Sequence, residues 1–110
     1  MIPFSKKHCT PCEGDTPPLA KEKSIEFIQE IDQWVLIEDT AIERTFLFKD
    51  FKEALAFINK VGEIAEREGH HPDLSLFGWN KVKIRLSTHA IKGLSDNDFI
   101  LAAKIDEVNR

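Results

Sequence analysis

The chain has 110 residues, of which 42% are hydrophobic and 31% are charged, and its formal net charge is −4. This length and composition predict one globular domain with a single modest core rather than a disordered chain. The sequence has no run of the roughly 20 apolar residues that cross a membrane, and its acidic balance disfavours a dedicated nucleic-acid binder. We therefore expect neither a membrane nor a nucleic acid as a partner.

The first segment of the chain is rich in Pro and Gly. We interpret residues 1–16 as an N-terminal arm and residues 17–110 as the domain. The arm lacks the apolar core and cleavage site of a signal peptide, so a cytoplasmic protein is expected. Cys9 and Cys12 have the Cys-x-x-Cys spacing of zinc sites and redox pairs, and His8 could add a third ligand. Because no second pair follows, an arm that packs or frays is favoured over a metal or redox role.

A helix and a hairpin are predicted next. Apolar residues recur at mostly helical spacing over residues 19–31, after a Pro17-Pro18 pair that suits a helix start. Two strands should follow, over residues 34–37 and 41–48, joined by a short polar turn. The second strand alternates polar and apolar residues apart from Arg44, which shares a face with apolar neighbours.

The clearest helix in the sequence should begin after Asp50 and end at Gly69. Asp50 is a good N-cap, and Glu53 stands at the capping-box position. The apolar residues between follow the i, i+3, i+4, i+7 pattern, and Pro72 forbids continuation. His70 and His71 should therefore lie just beyond the last helical turn.

A second hairpin and a last helix complete the order. Strands are predicted over residues 74–77 and 81–86, and Lys81, Lys83 and Arg85 should form a solvated face of the sheet. The last helix should open at Ser95, with Asp98 at the capping-box spacing. The α-β-β-α-β-β-α order with short joins predicts an α+β two-layer sandwich, in which three helices cover one face of a four-stranded antiparallel sheet.

Three histidines fall at the ends of these elements. His70 and His71 follow the long helix, and His89 follows the best-defined strand. Imidazole has an unperturbed pKa of about 6.5, so it can give and take protons near neutrality. From the residues alone, the pair could instead decorate a helix end or bind a metal. A shared metal ion is disfavoured because adjacent helical residues project about 100° apart.

The order of motifs resembles the pterin-4a-carbinolamine dehydratase family over about residues 19–108. His-His-Pro alone is a weak signal, but its combination with Ser-Thr-His one strand later is specific. The family's Trp after the first helix corresponds to Trp34. The segments that carry the resemblance are Glu66-Arg67-Glu68-Gly69-His70-His71-Pro72-Asp73, Trp79-Asn80-Lys81-Val82, Leu86-Ser87-Thr88-His89 and Gly93-Leu94-Ser95-x-x-Asp98.

The resemblance implies an activity: dehydration of 4a-hydroxytetrahydrobiopterin to quinonoid dihydrobiopterin, which recycles the cofactor of aromatic amino-acid hydroxylases. It implies no metal or organic cofactor. It also implies a homodimer or homotetramer and a functional link to phenylalanine hydroxylase.

The resemblance also implies roles for individual residues. His70 and His89 would be the acid–base pair, and His71 would mainly bind and orient the pterin. Glu66 lies one helical turn before His70 and would orient that histidine, unless it belongs to a solvated helix face. Asp98 falls at a family site position but has a competing role as a helix cap. The remaining pocket-lining positions are Gly69, Ser87, Thr88 and the backbone of Ala90.

Two departures from the vertebrate-type pattern are present. Gly69 stands where those members have Asn or Asp, and the segment 73–79 is one residue longer. Both features resemble the bacterial branch and weaken any transfer of the vertebrate members' second role, as a dimerisation cofactor of a homeodomain transcription factor. Two rival functions stay open: a non-catalytic oligomeric binding or coactivator module, and a pterin-binding protein of altered chemistry.

Overall fold

The computed structural model describes residues 3–10 and 17–109 and confirms the predicted fold class and element order. Short 3₁₀ turns lie at Phe4–Lys6 and His89–Ile91. The helices and strands are α1 (Lys21–Ile28), β1 (Val35–Ile37), β2 (Ala41–Leu47), α2 (Phe51–Glu68), β3 (Asp73–Phe77), β4 (Lys81–Leu86) and α3 (Asp96–Asn109).

The four strands form one antiparallel sheet in the order β1-β2-β4-β3. Both hairpins turn through residues with positive φ, Glu38 and Asp39 in the first and Gly78 and Trp79 in the second. Consecutive positive-φ residues belong to the primed turns whose twist matches that of paired strands. The two predicted hairpins are therefore present, and the second brings the start of β3, just after the end of α2, alongside the end of β4.

The core lies between one face of the sheet and the helices. In β4, Val82, Ile84 and Leu86 have no exposed surface, whereas Lys81, Lys83 and Arg85 face the other side. Such alternation is what a half-buried strand requires. The inward side chains pack with apolar residues of α2 and α3, among them Val61, Phe99 and Ile105.

Arg44 interrupts the apolar face of β2 because it has a buried partner. Its Nη1 atom donates to Oδ1 of Asp106 at 2.7 Å, and the same carboxylate accepts a bond from Trp34 Nε1 at 2.9 Å. The Arg44 side chain is 12% exposed and that of Asp106 is 5% exposed. The pair ties the sheet to the C-terminal half of α3.

The ends of α2 are capped as the sequence predicted. The Asp50 side chain accepts a hydrogen bond from the Glu53 amide at 2.8 Å, and Gly69 closes the helix with a φ of 67°. This left-handed conformation is easy for Gly and costly for other residues. It redirects the chain so that His70 and His71 leave the helix axis and approach the end of β4.

The prediction for the first helix is wrong at both ends. We predicted residues 19–31, but α1 spans only Lys21–Ile28. Ahead of it, the Leu19 amide donates to the carbonyl of Leu94, and Pro18 packs against Gly93. These contacts hold the Pro17-Pro18 segment outside the helix. None of the described helices is long and apolar enough to span a membrane.

Residues 3–10 pack against the domain. The ring of Phe4, 6% exposed, lies 5.0 Å from Phe27 and 6.0 Å from Phe99, measured between ring centroids. Of the two outcomes left open for the arm, these residues take the packed one. Cys12 lies outside the described residues, so the use of the Cys-x-x-Cys stays a prediction, as does the division into arm and domain.

Candidate active site

A pocket of about 340 Å³ lies between the C-terminal end of α2 and the connector that follows β4. Residues from both segments reach it, together with Thr10 of the arm and Asn97 of α3. The predicted site residues that line it are Gly69, His70, His71, Ser87, Thr88, His89 and Ala90. Residues distant in sequence therefore meet where the motif order predicted a common site.

His70 is held by a carboxylate beneath the pocket. Its Nε2 atom lies 2.6 Å from Oδ1 of Asp98, and the two side chains are 11% and 0% exposed. An ionised carboxylate only accepts hydrogen bonds, so His70 donates from Nε2. That bond fixes the orientation of the ring and leaves Nδ1 as the remaining protonation site in the neutral form.

Asp98 is also fixed from its other side. Its Oδ2 atom accepts hydrogen bonds from Thr88 Oγ1 and from the Ser95 amide, both at 2.9 Å. The bond from Ser95 is the carboxylate half of the predicted capping box. The Ser95 hydroxyl instead lies 2.8 Å from Thr88 Oγ1. Asp98 thus caps α3 and contacts His70 at the same time, so the two roles weighed in the sequence are compatible.

The predicted partner of Glu66 is wrong. We expected Glu66 to orient His70, but its Oε2 atom lies 2.6 Å from Nε2 of His71. The i, i+4 relation holds only within a helix, and the left-handed Gly69 ends α2 before His70. Glu66 and His71 are 78% and 61% exposed, and Glu66 is absent from the pocket lining.

His89 is positioned at the pocket by the backbone of a short turn. It begins the 3₁₀ turn His89–Ile91, and the backbone around it is closed by a bridge between Thr88 and Gly93. Two residues before His89, the Ser87 hydroxyl donates to the carbonyl of Thr40 at 2.8 Å, which ties the end of β4 to the turn between β1 and β2. His89 itself is exposed, so its imidazole is open to a molecule that enters from solvent.

Thr10 and Asn97 border the pocket and were not predicted. The backbone N–H and carbonyl of Thr10 form hydrogen bonds with the side-chain amide of Asn97, although the two residues are far apart in sequence. No periodicity or motif signals such a contact, since Asn97 occupies an ordinary first-turn position of a helix. The burial of its side chain, with the residue 5% exposed, is visible only in the folded chain.

A larger depression elsewhere contains none of the predicted site residues. It has a volume of about 480 Å³ and is lined by the end of β2, the start of α2 and the last residues of α3. Its charged groups are Lys49, Glu53 and Lys60, of which Lys49 and Glu53 pair with each other at 3.8 Å. Within residues 3–10 and 17–109, no group of three or more His, Cys, Asp or Glu is arranged to hold a metal ion.

Imidazoles gathered around a small pocket, one of them backed by a buried carboxylate, are suited to proton transfer on a small molecule. The fold is that of a small α+β protein, with three histidines at one pocket. The chain belongs to the pterin-4a-carbinolamine dehydratase family. A profile of that family, described as "Pterin 4 alpha carbinolamine dehydratase", matches residues 17–108.

Proteins of similar sequence carry the same family name. The chain is 49% identical to a protein of Alkaliphilus metalliredigens over 108 residues, covering 97% of this chain and 96% of that one. It is 48% identical to a protein of Methylococcus capsulatus, covering 96% and 92% of the two chains. Both bear the name "Putative pterin-4-alpha-carbinolamine dehydratase".

Solved structures share the fold. A transcriptional coactivator/pterin dehydratase from Brucella melitensis is 30% identical and superposes with a TM-score of 0.78, covering 83% of this chain and 97% of that one. A pterin dehydratase-like protein identified as a RuBisCO assembly factor in the alpha-carboxysome is 23% identical, with a TM-score of 0.59 and 69% and 88% coverage. The second likeness concerns the fold alone.

Proposed function

We propose that this protein dehydrates 4a-hydroxytetrahydrobiopterin to quinonoid dihydrobiopterin, in the recycling of tetrahydrobiopterin for aromatic amino-acid hydroxylation. Membership of the family and the names of its relatives support a pterin as substrate. The observation that carries the proposal is the geometry of two histidines. His70 and His89 border one pocket from separate segments, and only His70 is locked by a carboxylate.

The reaction needs one proton delivered and one removed. The C4a–O bond breaks when the hydroxyl leaves as water, which requires protonation because hydroxide is a poor leaving group. The lone pair of N5 forms the C4a=N5 double bond, and the N5 proton is then lost. The net change is the loss of one water, with no oxidant or reductant. Two imidazoles on one pocket are suited to this exchange, because an imidazole can both give and take a proton.

We assign the proton transfers to His70 and His89. His70 is presented in a fixed orientation with Nε2 bound to Asp98, so its Nδ1 can exchange a proton in the pocket. His89 is exposed and can exchange protons with solvent between turnovers. His71 is proposed to bind the pterin, because it lines the same pocket and its Nε2 is held by Glu66. Ser87, Thr88, Gly69 and Ala90 are proposed to shape the pocket.

The test follows the loss of chemically generated 4a-hydroxytetrahydropterin at neutral pH. We expect the wild-type protein to accelerate it, and His70→Ala or His89→Ala to lower kcat by about 10²-fold or more, the usual contribution of general acid–base catalysis. Added imidazole should restore part of the activity of His89→Ala, whose ring is exposed. Lys83→Ala, on the outer face of the sheet, serves as the control. A wild-type rate no faster than that of the His70→Ala, His89→Ala double variant contradicts the proposal.

A second candidate, a self-associating binding module, is favoured by exposed apolar side chains. Phe51 and Leu55 on α2 are 49% and 42% exposed, and Leu74 on β3 is 38% exposed. We propose that the protein forms a homodimer or homotetramer, which is compatible with catalysis. Sedimentation of wild type and Leu55→Glu tests this. The wild type should sediment as an assembly of more than one chain, and the variant as a smaller species than the wild type. If the variant loses oligomers and keeps full activity, the two functions are separable.

A further inference from the structure

The arm is anchored at its beginning. Phe4 is buried in the core between α1 and α3, and the Ser5 carbonyl accepts a hydrogen bond from Lys104 Nζ at 2.9 Å. Lys104 lies on α3, and its side chain is 16% exposed. The start of the arm therefore has both an apolar anchor and a polar one.

The middle of the arm binds the last turn of α2. Glu68 presents its two carboxylate oxygens to the arm: Oε1 accepts the Cys9 amide at 2.8 Å, and Oε2 lies 3.0 Å from His8 Nδ1. Only 3% of the Glu68 side-chain surface is exposed, whereas His8 is 78% exposed. The bond from the Cys9 amide is thus the sheltered one. Glu68 comes two residues before His70, so this contact lies beside the pocket.

Thr10, the last described residue of the arm before α1, binds the first turn of α3. Asn97 accepts the Thr10 amide on Oδ1 at 2.9 Å and donates from Nδ2 to the Thr10 carbonyl at 2.6 Å. This reciprocal pair fixes the backbone of Thr10 in position and direction. Asn97 is buried and immediately precedes Asp98, the residue that holds His70. Neighbouring residues in one helical turn therefore fix the arm and the histidine.

We propose that Thr10 is a wall of the pterin pocket and that Asn97 is the positioning residue that holds it there. Thr10 borders the same cavity as His70 and His89. It is exposed on its remaining side, so its surface is available to a bound molecule. The inference rests on the proposed function in naming a pterin as the ligand. It extends the binding site to a part of the chain that precedes the matched family region.

The arm should contribute to binding of the pterin and not to proton transfer. Among the described residues of the arm, Thr10 is the one that borders the pocket, and neither it nor Asn97 of α3 has a side chain that ionises. Loss of the arm should therefore weaken binding of the pterin without changing proton transfer. Removing the two hydrogen bonds that hold Thr10 should raise KM by about 5- to 10-fold and change kcat by less than about twofold.

The kinetic experiment compares variants of the full chain. Asn97→Ala removes both side-chain bonds to Thr10. Thr10→Pro removes the donated amide from the arm side and leaves α3 intact, so it covers the case in which Asn97→Ala does not fold. Asn59→Ala, at an exposed position of α2, is the matched control. We expect both arm variants to raise KM as stated, and the control to match wild type.

A binding experiment keeps this inference distinct from the dehydratase proposal. The probe is 7,8-dihydrobiopterin, which has no 4a-hydroxyl to lose. In isotope-labelled wild-type protein, its addition should shift the amide resonance of Thr10 and slow the hydrogen exchange of the Cys9 and Thr10 amides. The dissociation constant should rise about 5- to 10-fold in Asn97→Ala and Thr10→Pro. These results are expected whether or not the wild type dehydrates the carbinolamine.

Two outcomes overturn the inference. In the first, the Thr10 amide exchanges freely in Asn97→Ala while KM and the dissociation constant of both variants equal those of wild type, so the arm has no part in binding. In the second, kcat falls and KM does not change, which means that Asn97 acts through Asp98 and the start of α3 rather than through Thr10.

Discussion

The Nε2 atom of His70 lies 2.6 Å from Oδ1 of Asp98, a carboxylate with no exposed surface. A charge in such a position is costly unless it is fully hydrogen-bonded. Asp98 meets this condition through His70, Thr88 and the Ser95 amide. The carboxylate thus links the start of α3, the connector after β4 and the end of α2, which are the segments around the pocket.

Replacing Asp98 should impair catalysis more than folding. Asp98→Asn keeps the shape but offers His70 an amide, which can donate to the ring and select the wrong tautomer. We expect kcat to fall by about 10- to 10³-fold, within the usual contribution of acid–base catalysis. Asp96→Asn, in the same helical turn but exposed, is the matched control and should stay within about twofold. Equal activities of the two variants would contradict the role of Asp98.

Glu66→Gln should have a small effect. The Glu66–His71 pair is as short as the pair of Asp98 with His70, but both of its side chains are mostly exposed. Water screens such pairs, and their net contribution is typically below about 1 kcal/mol. We expect kcat/KM to change by less than about fivefold, in KM rather than kcat. Steady-state kinetics beside Glu63→Gln, another exposed position on α2, provides the comparison.

Asp98 and Glu66 show which contacts of the site could be predicted from the sequence and which could not. Periodicity and capping residues predicted the strands, α2 and the segments that carry the histidines, because those signals are local. From the sequence, Glu66 could be either a partner of His70 or part of a solvated helix face. The first alternative fails, since the local i, i+4 rule does not hold once Gly69 turns the chain. The true partner, Asp98, lies 28 residues away, a relation that depends on how α3 packs.

The arm and the first helix show the same limit. Pro17-Pro18 fits a helix start by local rules, yet contacts with Gly93 and Leu94 hold that segment outside the helix. Thr10 and Asn97, 87 residues apart, leave no trace in any local pattern. In both cases a long-range contact overrides or supplements a local preference.

Two arginines of the sheet, Arg44 and Arg85, each pair with a carboxylate, and replacing them should lower stability by very different amounts. The Arg44–Asp106 pair is buried, with side chains 12% and 5% exposed, and burial raises the pKa of Asp106 despite hydrogen bonds from Trp34, the Asp32 amide and Arg44. The Arg85–Glu43 pair has nearly the same length but is 39% and 20% exposed.

Arg44→Ala leaves the buried carboxylate without its cation and should lower the free energy of unfolding by about 3 kcal/mol. Arg85→Ala should lower it by no more than about 1 kcal/mol. Urea denaturation measures both. A loss for Arg44→Ala as small as that for Arg85→Ala would mean that the remaining bonds to Asp106 suffice.

Two glycines should respond in opposite directions to the same substitution. A Cβ at Gly62, within α2, would meet no described atom within 4 Å, so Gly62→Ala should stabilise the protein by about 0.5–1 kcal/mol. A Cβ at Gly93 would lie 2.7 Å from Cβ of Pro18. Gly93→Ala should therefore cost about 1–3 kcal/mol by forcing that segment away. Thermal unfolding of the two variants tests the pair, and a stabilising Gly93→Ala would show that Pro18 moves at no cost.

The stability supplied by Glu68 should depend on pH. Burial by itself raises the pKa of this carboxyl, but hydrogen bonds from the Cys9 amide and His8, with the nearby charges of Lys104 and His8, lower it below its ordinary value. A carboxyl whose folded-state pKa is depressed stabilises the protein above its unfolded-state pKa. That contribution is lost as the pH falls through the folded-state value.

Glu68→Gln should accordingly be less stable than wild type at pH 7, by about 1 kcal/mol. The bond to the Cys9 amide supplies most of this difference, because His8 is screened by water. The difference in unfolding free energy between the two proteins should narrow when the pH falls below about 4.3, the ordinary pKa of a glutamate side chain. Urea denaturation of both proteins at neutral and acid pH measures it, with Glu63→Gln, exposed on α2, as the control that should show no such narrowing. A difference that is the same at both pH values would assign the effect to packing of the side chain rather than to its charge.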